Sequence, residues 1–286
     1  DDTKFSILFK RVILFLKKIF GIITINKKGI YILPYDNLES FAKIKIFFIK
    51  KILTKIDAQV IISKKLEQID KLKQELKLSN IKLVEETKLA NYLIPEIIEY
   101  ICKMTKQEKA KLEISILIEN KSAELEKIII ELAKEVKRIQ IVTNKIRQFQ
   151  KLENDLEKEY GLACQITNNK RKSLLKSKII INFDYSEQGL NEFLINPDAI
   201  VIDINKKTKI ATKLFCGIHI YDYQIHSDNY EWDINIFDNK KIYETKIKDE
   251  NHMMIRKIFK DENVKVVNLI GKNGIINRQE YVKKFQ

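Results

Sequence analysis

Two short polar segments carry the residue types that bind phosphate groups, and each directly follows an apolar run typical of a buried strand. The first segment follows the run at 113–119, and the second follows the run at 138–143. Their candidate binding residues are Asn120, Lys121, Ser122, Asn144, Lys145 and Arg147. Basic side chains bind phosphate by charge, and backbone N–H groups at a helix start bind it by hydrogen bonds. These six residues therefore form a candidate site for a phosphorylated cofactor. An ordinary basic loop is the alternative for the second segment.

A third segment, at 170–178, is the most basic stretch in the second half of the chain. Its basic residues are Lys170, Arg171, Lys172, Lys176 and Lys178. It follows a predicted strand at 163–167, and loops after strand ends line the ligand crevice of an open α/β sheet. The segment therefore indicates either a phosphate or polynucleotide site, or a solvated loop.

His219 and His226, with the sequence Tyr-Asp-Tyr at 221–223 between them, form the one polar cluster that resembles a catalytic constellation. Two histidines on a strand-like stretch are also common as structural residues.

The three cysteines lie far apart and show neither a disulfide framework nor zinc-ligand spacing, so we expect no metal site. We expect Cys164 and Cys216 to be buried.

Strand and helix patterns alternate through the second half. Predicted strands lie at 113–119, 138–143, 163–167, 178–183 and 199–204, and predicted helices at 122–136, 147–160 and 172–176. Ser122 suits the N-cap of the first helix, and Gly161 suits the C-cap of the second. Apolar strands at this spacing require a parallel sheet covered on both faces. The fold class is therefore α/β, with a doubly wound, mostly parallel Rossmann-like sheet in the second half and a smaller N-terminal α/β domain.

The turn after the first strand of this sheet lacks the glycines that a dinucleotide cradle uses. It reads Ile-Glu-Asn-Lys-Ser-Ala over 118–123, and no glycine occurs between Gly29 and Gly161. Glycines there normally allow backbone N–H groups to approach the pyrophosphate closely. Glu119 would also place a carboxylate beside an anionic ligand. We therefore expect a degenerate nucleotide site.

Three blocks in this half, IVTNKIRQ, LLKSKIIINFD and AIVIDINKKTKIATKLFCG, carry a family resemblance. They resemble the NADP-binding domain of the shikimate/quinate dehydrogenases and are similar to the related domain of glutamyl-tRNA reductase. The resemblance covers about residues 113–220. It implies NADP as the cofactor, with Asn144 and Lys145 at the adenosine 2′-phosphate.

The chain also departs from that family. The strand motif of the family matches 177–182, whereas a later motif matches only Asp203, Thr212 and Leu214. Residues 1–112 show no context for the catalytic lysine and aspartate of the family. The resemblance thus implies a shared fold with the dehydrogenase activity lost or changed.

The first part of the chain predicts a separate small domain. It shows a hairpin at 21–33, helices at 41–56 and 64–76, and strands at 58–62 and 81–84. A helix at 88–104, with Pro95 expected to kink it or move its start, connects the domains. We place the domains at 1–104 and 105–286, with a further hairpin at 269–275 in the C-terminal extension.

The net charge of +14 comes from 53 basic and 39 acidic residues, and it is uneven. Residues 1–112 hold 23 basic against 13 acidic residues, a net of +10, which leaves +4 for the rest. This asymmetry indicates an anionic partner, which could be nucleic acid, an anionic membrane surface or a phosphorylated ligand; a solvated lysine-rich surface is the alternative. Lys10, Arg11, Lys17 and Lys18 interrupt the most apolar segment, so we expect a docked helix there and no membrane partner.

These observations predict a cytoplasmic two-domain Rossmann-like protein. Its degenerate site would bind a small phosphorylated ligand or a partner without standard dehydrogenase catalysis. The alternatives are an NADP-dependent oxidoreductase that resembles shikimate dehydrogenase and a basic nucleic-acid-binding protein.

Overall fold

The computed structural model describes residues 23–24, 30–33, 59–78, 80–205, 207–211, 215–228 and 237–285. The chain forms two compact units, residues 1–86 with 229–249 and residues 87–228 with 250–286. The helix predicted at 41–56, the charged segment at 5–20, Thr212 and Leu214 lie outside the described residues.

The secondary structure alternates through most of the described chain. The strands are β1 (Ile23–Thr24), β2 (Ile30–Leu33), β3 (Gln59–Ile62), β4 (Lys82–Leu83), β5 (Glu113–Leu117), β6 (Arg138–Val142), β7 (Ala163–Thr167), β8 (Ile179–Asn182), β9 (Ile200–Ile202), β10 (Ile218–Ile220), β11 (Asp222–His226), β12 (Lys265–Gly271) and β13 (Gly274–Ile275). The helices are α1 (Lys64–Glu67), α2 (Asp70–Leu78), α3 (Thr87–Tyr92), α4 (Ile94–Thr105), α5 (Ala123–Ala133), α6 (Ile146–Tyr160), α7 (Glu187–Asn191), α8 (Asn239–Ile247), α9 (His252–Asp261) and α10 (Arg278–Phe285).

The first unit contains a small mixed sheet in the order β1-β2-β3-β4. The antiparallel pairing of β1 with β2 confirms the predicted hairpin, and β2, β3 and β4 are parallel. The helix predicted at 64–76 forms as two helices, α1 and α2. Lys240 at the start of α8 pairs with Glu86 at 3.1 Å, and Lys241 pairs with Glu67.

The second unit is built around a six-stranded, fully parallel sheet in the order β10-β9-β8-β5-β6-β7. When the six strands are numbered 1 to 6 along the chain and listed from the β7 edge, their order is 3-2-1-4-5-6, which is that of a Rossmann fold. The sheet confirms the predicted fold class. Its crevice-forming loops follow the carboxyl ends of the strands.

Aliphatic residues explain why this sheet forms the core. Ile116, Ile141, Ile180, Ile200 and Val201 are fully buried in four registered strands. Burying each such side chain contributes about 1.5–3 kcal/mol relative to leaving it exposed. A sheet buried on both faces needs this near-continuous apolar sequence.

Local signals set the ends of the helices. The Ser122 hydroxyl accepts a hydrogen bond from the Leu125 N–H at 3.1 Å, so it is the N-cap of α5 as predicted. Gly161 ends α6 in the left-handed conformation with φ of 62°. Pro95 lies in the first turn of α4, so the helix predicted at 88–104 breaks at Leu93 into α3 and α4.

The structure divides the chain differently from the boundary expected at residue 104. Ile94, Ile97, Ile98 and Ile101 form a buried face of α4. This helix packs against β12, α10 and α5, which all belong to the second unit. Its apolar face therefore places α4 in the second unit.

A separate antiparallel sheet, β11-β12-β13, follows the parallel one. The tight pairing of β12 with β13 confirms the hairpin predicted at 269–275.

In contrast, the helix predicted at 172–176 is wrong, because this segment forms turns. Cys164 is buried as expected, but Cys216 is exposed because it lies in the loop before β10.

None of the described helices is both long enough and apolar enough to cross a membrane. Among these residues, no group of three or more histidine, cysteine, aspartate or glutamate side chains could hold a metal ion.

We expect Gly161→Ala to lower the free energy of unfolding of the second unit by about 1–2 kcal/mol, since the left-handed conformation disfavours a Cβ atom. No atom lies within 4 Å of where that Cβ would be, so backbone strain alone would cause the loss. Gly161→Asn serves as the control, because asparagine tolerates this conformation better. Urea denaturation measures both variants. Equal stabilities for the two would contradict the backbone explanation.

Candidate functional site

The centre of the crevice edge is a carboxylate that holds the turn after β5. Asp184, two residues beyond β8, accepts a hydrogen bond from the Glu119 N–H at 2.7 Å through Oδ1. Its Oδ2 accepts the Asn120 N–H at 2.7 Å and the Asn120 side-chain amide at 3.0 Å. Because β8 lies beside β5 in the sheet, the two loops meet at this edge. The Asp184 side chain thus occupies donors of the kind that bind a phosphate in a Rossmann turn.

A second carboxylate extends this network to the loop after β6. Glu119 Oε1 accepts the Asn144 N–H at 3.0 Å and its side-chain amide at 2.6 Å. Lys145 Nζ donates to Asn120 Oδ1 at 2.9 Å. The structure therefore brings together three of the candidate binding residues, Asn120, Asn144 and Lys145, but each is engaged with a neighbouring loop.

The other three candidates have different surroundings. Ser122 caps α5, and Lys121 forms an ion pair with Glu126 at 3.2 Å. Arg147 is exposed in the first turn of α6, and among the described residues no hydrogen bond or ion pair joins it to the Asp184 network. The contacts of these three residues therefore do not indicate where a phosphate would bind.

Two carboxylates of the network lie close to the Tyr185 phenol. Burial, followed by the nearby Glu119 and Asp184 carboxylates, raises the pKa of the Tyr185 phenol well above its ordinary value. A phosphate entering here would meet the same two carboxylates.

A buried carboxylate stands at the end of β9. Asp203 is fully buried, and its Oδ1 accepts the Asn182 side-chain amide at 2.9 Å. Its Oδ2 accepts the Thr208 N–H at 2.6 Å and the Thr208 hydroxyl. These bonds fix the carboxylate and tie the loop after β9 to the sheet.

His219 on β10 lies against this carboxylate, with Nε2 3.4 Å from Asp203 Oδ2. Its side chain is 8% exposed, and its ring stacks on Tyr221 with centroids 4.2 Å apart. His226 instead lies 3.3 Å from Asp228 and is half exposed. The two histidines that the sequence suggested as one cluster therefore pair with different carboxylates.

A wide cleft in the second unit opens beside His219 and has a volume of about 1010 Å³. The loop after β9, strand β10 and the β12–β13 hairpin line it. We call it the lysine cleft, and its main lining residues are Lys207, Lys209, Phe215, His219, Tyr221 and Lys272. None of the three lysines has an ion pair among the described residues, while Glu280 also lies at the wall. The cleft therefore carries an excess of positive charge.

The basic segment at 170–178 does not reach this cleft or the Asp184 network. Lys170 pairs with Glu192, whereas Lys172 and Lys176 line a smaller cleft on the face of the parallel sheet together with Arg138. Lys145 and Arg147 do not line that cleft. The basic loops after β6 and β7 therefore do not form one joint phosphate site.

Sequence reasoning missed Asp184 and the Asp203–His219 pair. An acidic residue directly after a buried strand is visible at both positions. Which loop it would meet depends on the order of strands in the sheet, which the sequence does not display.

No protein-family model and no curated protein matches this chain. Similar solved structures include shikimate 5-dehydrogenase from Listeria monocytogenes in complex with shikimate and NAD, with 17% identity, a TM-score of 0.34, and coverage of 49% of this chain and 53% of that one. They also include L-tryptophan dehydrogenase from Nostoc punctiforme, with 6% identity, a TM-score of 0.37 and coverage of 77% and 63%. The ligand-free 5-ketofructose reductase of Gluconobacter sp. strain CHM43 has 12% identity, a TM-score of 0.36 and coverage of 72% and 63%. Our chain spans about half of the shikimate dehydrogenase, and these likenesses concern the fold alone.

We expect Asp184→Ala to lower the free energy of unfolding by about 1–3 kcal/mol, because two backbone N–H groups lose their acceptor. Asp184→Asn keeps one acceptor oxygen and should lose less. Glu159→Gln, at an exposed position on α6, is the control and should match the wild type. Urea denaturation compares the three variants, and an unchanged Asp184→Ala protein would show that the carboxylate does not hold the turn.

Proposed function

We propose that the second unit binds a small phosphorylated ligand in the lysine cleft and does not act as a standard dinucleotide dehydrogenase. The observation that supports this proposal is that the Asp184 carboxylate accepts hydrogen bonds from the N–H groups of Glu119 and Asn120. These groups belong to the turn that holds the pyrophosphate in dinucleotide-binding Rossmann domains.

The carboxylates oppose a dinucleotide at this turn in two ways. A phosphate there would have to displace Asp184 from two short hydrogen bonds. It would also be repelled: two unit charges 4 Å apart interact by about 4 kcal/mol near a protein surface. The absence of glycine from 118–123 further limits how closely a pyrophosphate could approach the backbone.

The lysine cleft offers the opposite environment. Lys207 and Lys209 lie in the loop after β9, at the carboxyl edge where ligands bind in open α/β sheets. Lys272 faces the same cleft from the hairpin. His219, held against Asp203 and Tyr221, supplies a fixed imidazole that can donate to or accept from a ligand oxygen. Three cations and an imidazole around one cleft suit a phosphate group.

The second candidate is an NADP-dependent oxidoreductase that resembles shikimate dehydrogenase. The observations that favour it are the strand order of the parallel sheet and the placement of Asn144 and Lys145 after β6. This candidate requires the Asp184 network to open for the cofactor.

NADPH distinguishes the two candidates. A ligand at 100 times its Kd stabilises a protein by about 2.7 kcal/mol, so about 1 mM NADPH would reveal a Kd near 10 μM as a rise in Tm. We expect no rise in Tm and no change in NADPH fluorescence, because the turn is occupied by Asp184. Stabilisation that is lost in Lys145→Gln would instead establish the oxidoreductase candidate.

Inorganic phosphate and 3-phosphoglycerate test the lysine cleft. We expect both to raise the Tm of the wild type, and the triple variant Lys207→Gln, Lys209→Gln and Lys272→Gln to lose most of that rise, since it removes the charges that attract phosphate. The matched control replaces Lys151, Lys158 and Lys257, which are exposed on helices, by glutamine. Equal responses in the two triple variants would refute binding at this cleft.

A further inference from the structure

The parallel sheet contains a row of polar side chains where its fold calls for apolar ones. Ser115 on β5 is the register partner of Gln140 on β6, which is the partner of Gln165 on β7. Side chains two residues apart lie on the same face of a strand. Leu117 and Val142, two residues beyond, join the apolar cluster on this face with Leu174 and α7 residues. The polar row therefore begins where that apolar covering ends.

The chain that crosses this face between β7 and β8 forms turns over 170–176 and leaves a cleft of about 350 Å³. We call it the sheet cleft. Its polar lining residues include Ser115, Arg138, Gln140, Gln165, Lys172 and Lys176. The volume lies at the lower end of the range for small-molecule sites, about 300–1,000 Å³.

A buried hydroxyl at the sheet cleft lacks a partner. The Ser115 and Ser177 hydroxyl oxygens lie 2.5 Å apart, and Ser115 donates to Gln140 Oε1 at 3.1 Å. Ser173, which also lines the cleft, is only 5% exposed, and its Oγ has no hydrogen-bond partner among the described residues. A buried hydroxyl left unpaired is unfavourable, and such a group in a native fold indicates an additional partner.

The charge of the sheet cleft is positive. Lys172 and Lys176 form no ion pair among the described residues, and Arg138 donates to the neutral Gln165 side chain at 2.7 Å. The cleft also contains Glu113, whose carboxylate is paired with Lys137 at 3.0 Å. Three cations therefore face the cleft without an acidic partner.

We propose that the sheet cleft binds a second ligand, a phosphorylated polyol of the sugar phosphate class. Arg138, Lys172 and Lys176 bind the phosphate group, because guanidinium and ammonium groups form charge-assisted hydrogen bonds with its oxygens. The amides of Gln140 and Gln165 pair with ligand hydroxyls, and Ser173 Oγ gains the partner that it lacks. This site is on the face of β5, β6 and β7, whereas the lysine cleft follows β9 and β10, so either proposal can fail without the other.

Isothermal titration with glucose 6-phosphate and ribose 5-phosphate tests this site on the full chain. We expect at least one of them to bind and K172Q/K176Q to weaken that binding at least about tenfold, as loss of charge-assisted hydrogen bonds requires. The double variant K151Q/K158Q, which alters exposed lysines on α6, should bind like the wild type. The triple variant of the lysine cleft should also retain this binding.

Ser173→Ala distinguishes a role of the Ser173 hydroxyl in binding from a role in stability. It should weaken sugar phosphate binding while leaving the ligand-free protein at least as stable as the wild type, because the unpaired hydroxyl is removed. No binding of either sugar phosphate, or binding lost only in the lysine-cleft variant, would overturn the proposal. In the triple variant of the lysine cleft, inorganic phosphate binding as tightly as both sugar phosphates would overturn the assignment to a polyol.

Discussion

The hydrogen bonds from the Glu119 and Asn120 N–H groups to Asp184 organise the crevice edge of the second unit. An aspartate two residues past β8 reaches the turn after β5 because these strands are neighbours in the sheet. Once that turn is held, Glu119 can bind Asn144 and Asn120 can accept from Lys145. Three loops are thereby joined through two carboxylates. In this structure, two N–H groups of the kind that bind a phosphate in a Rossmann turn are hydrogen-bonded to Asp184 of the same chain.

Two clefts of the second unit lie away from this turn. The loop after β9 is fixed by Asp203 through Thr208, and it carries two lysines into a wide cleft beside His219. On the face of β5 to β7, polar residues replace the expected apolar ones. A parallel sheet tolerates such residues only where hydrogen-bond partners or water can reach them. The sheet cleft therefore occurs where the apolar covering of the sheet is incomplete.

Much of this fold follows from patterns within single segments. The parallel sheet could be predicted because its strands are short apolar runs at a regular spacing, and the ends of α5 and α6 because Ser122 and Gly161 have specific capping roles. The helix at 172–176 was wrongly predicted because Leu174 is buried by the crossing segment without a helical turn. The candidate site was predictable only in part. Lys145 bonds to Asn120 between the two polar loops, but the role of Asp184 depends on which strands are neighbours, and that is a tertiary property.

The segment between β7 and β8 is short for the distance that it spans. Residues 168–178 cross over β6 and β5 before β8 pairs with β5. Three strand spacings amount to about 14 Å, and a covering layer adds about 10 Å of height above the sheet. Parallel strands are usually joined by a dozen or more residues, so this connection is near the shortest workable length. Shortening it would strain the register of β8, whereas lengthening it would add only a small loop entropy. Because so few residues make the connection as turns and not as a helix, it covers only part of the face of β5 to β7, and the sheet cleft remains beside it.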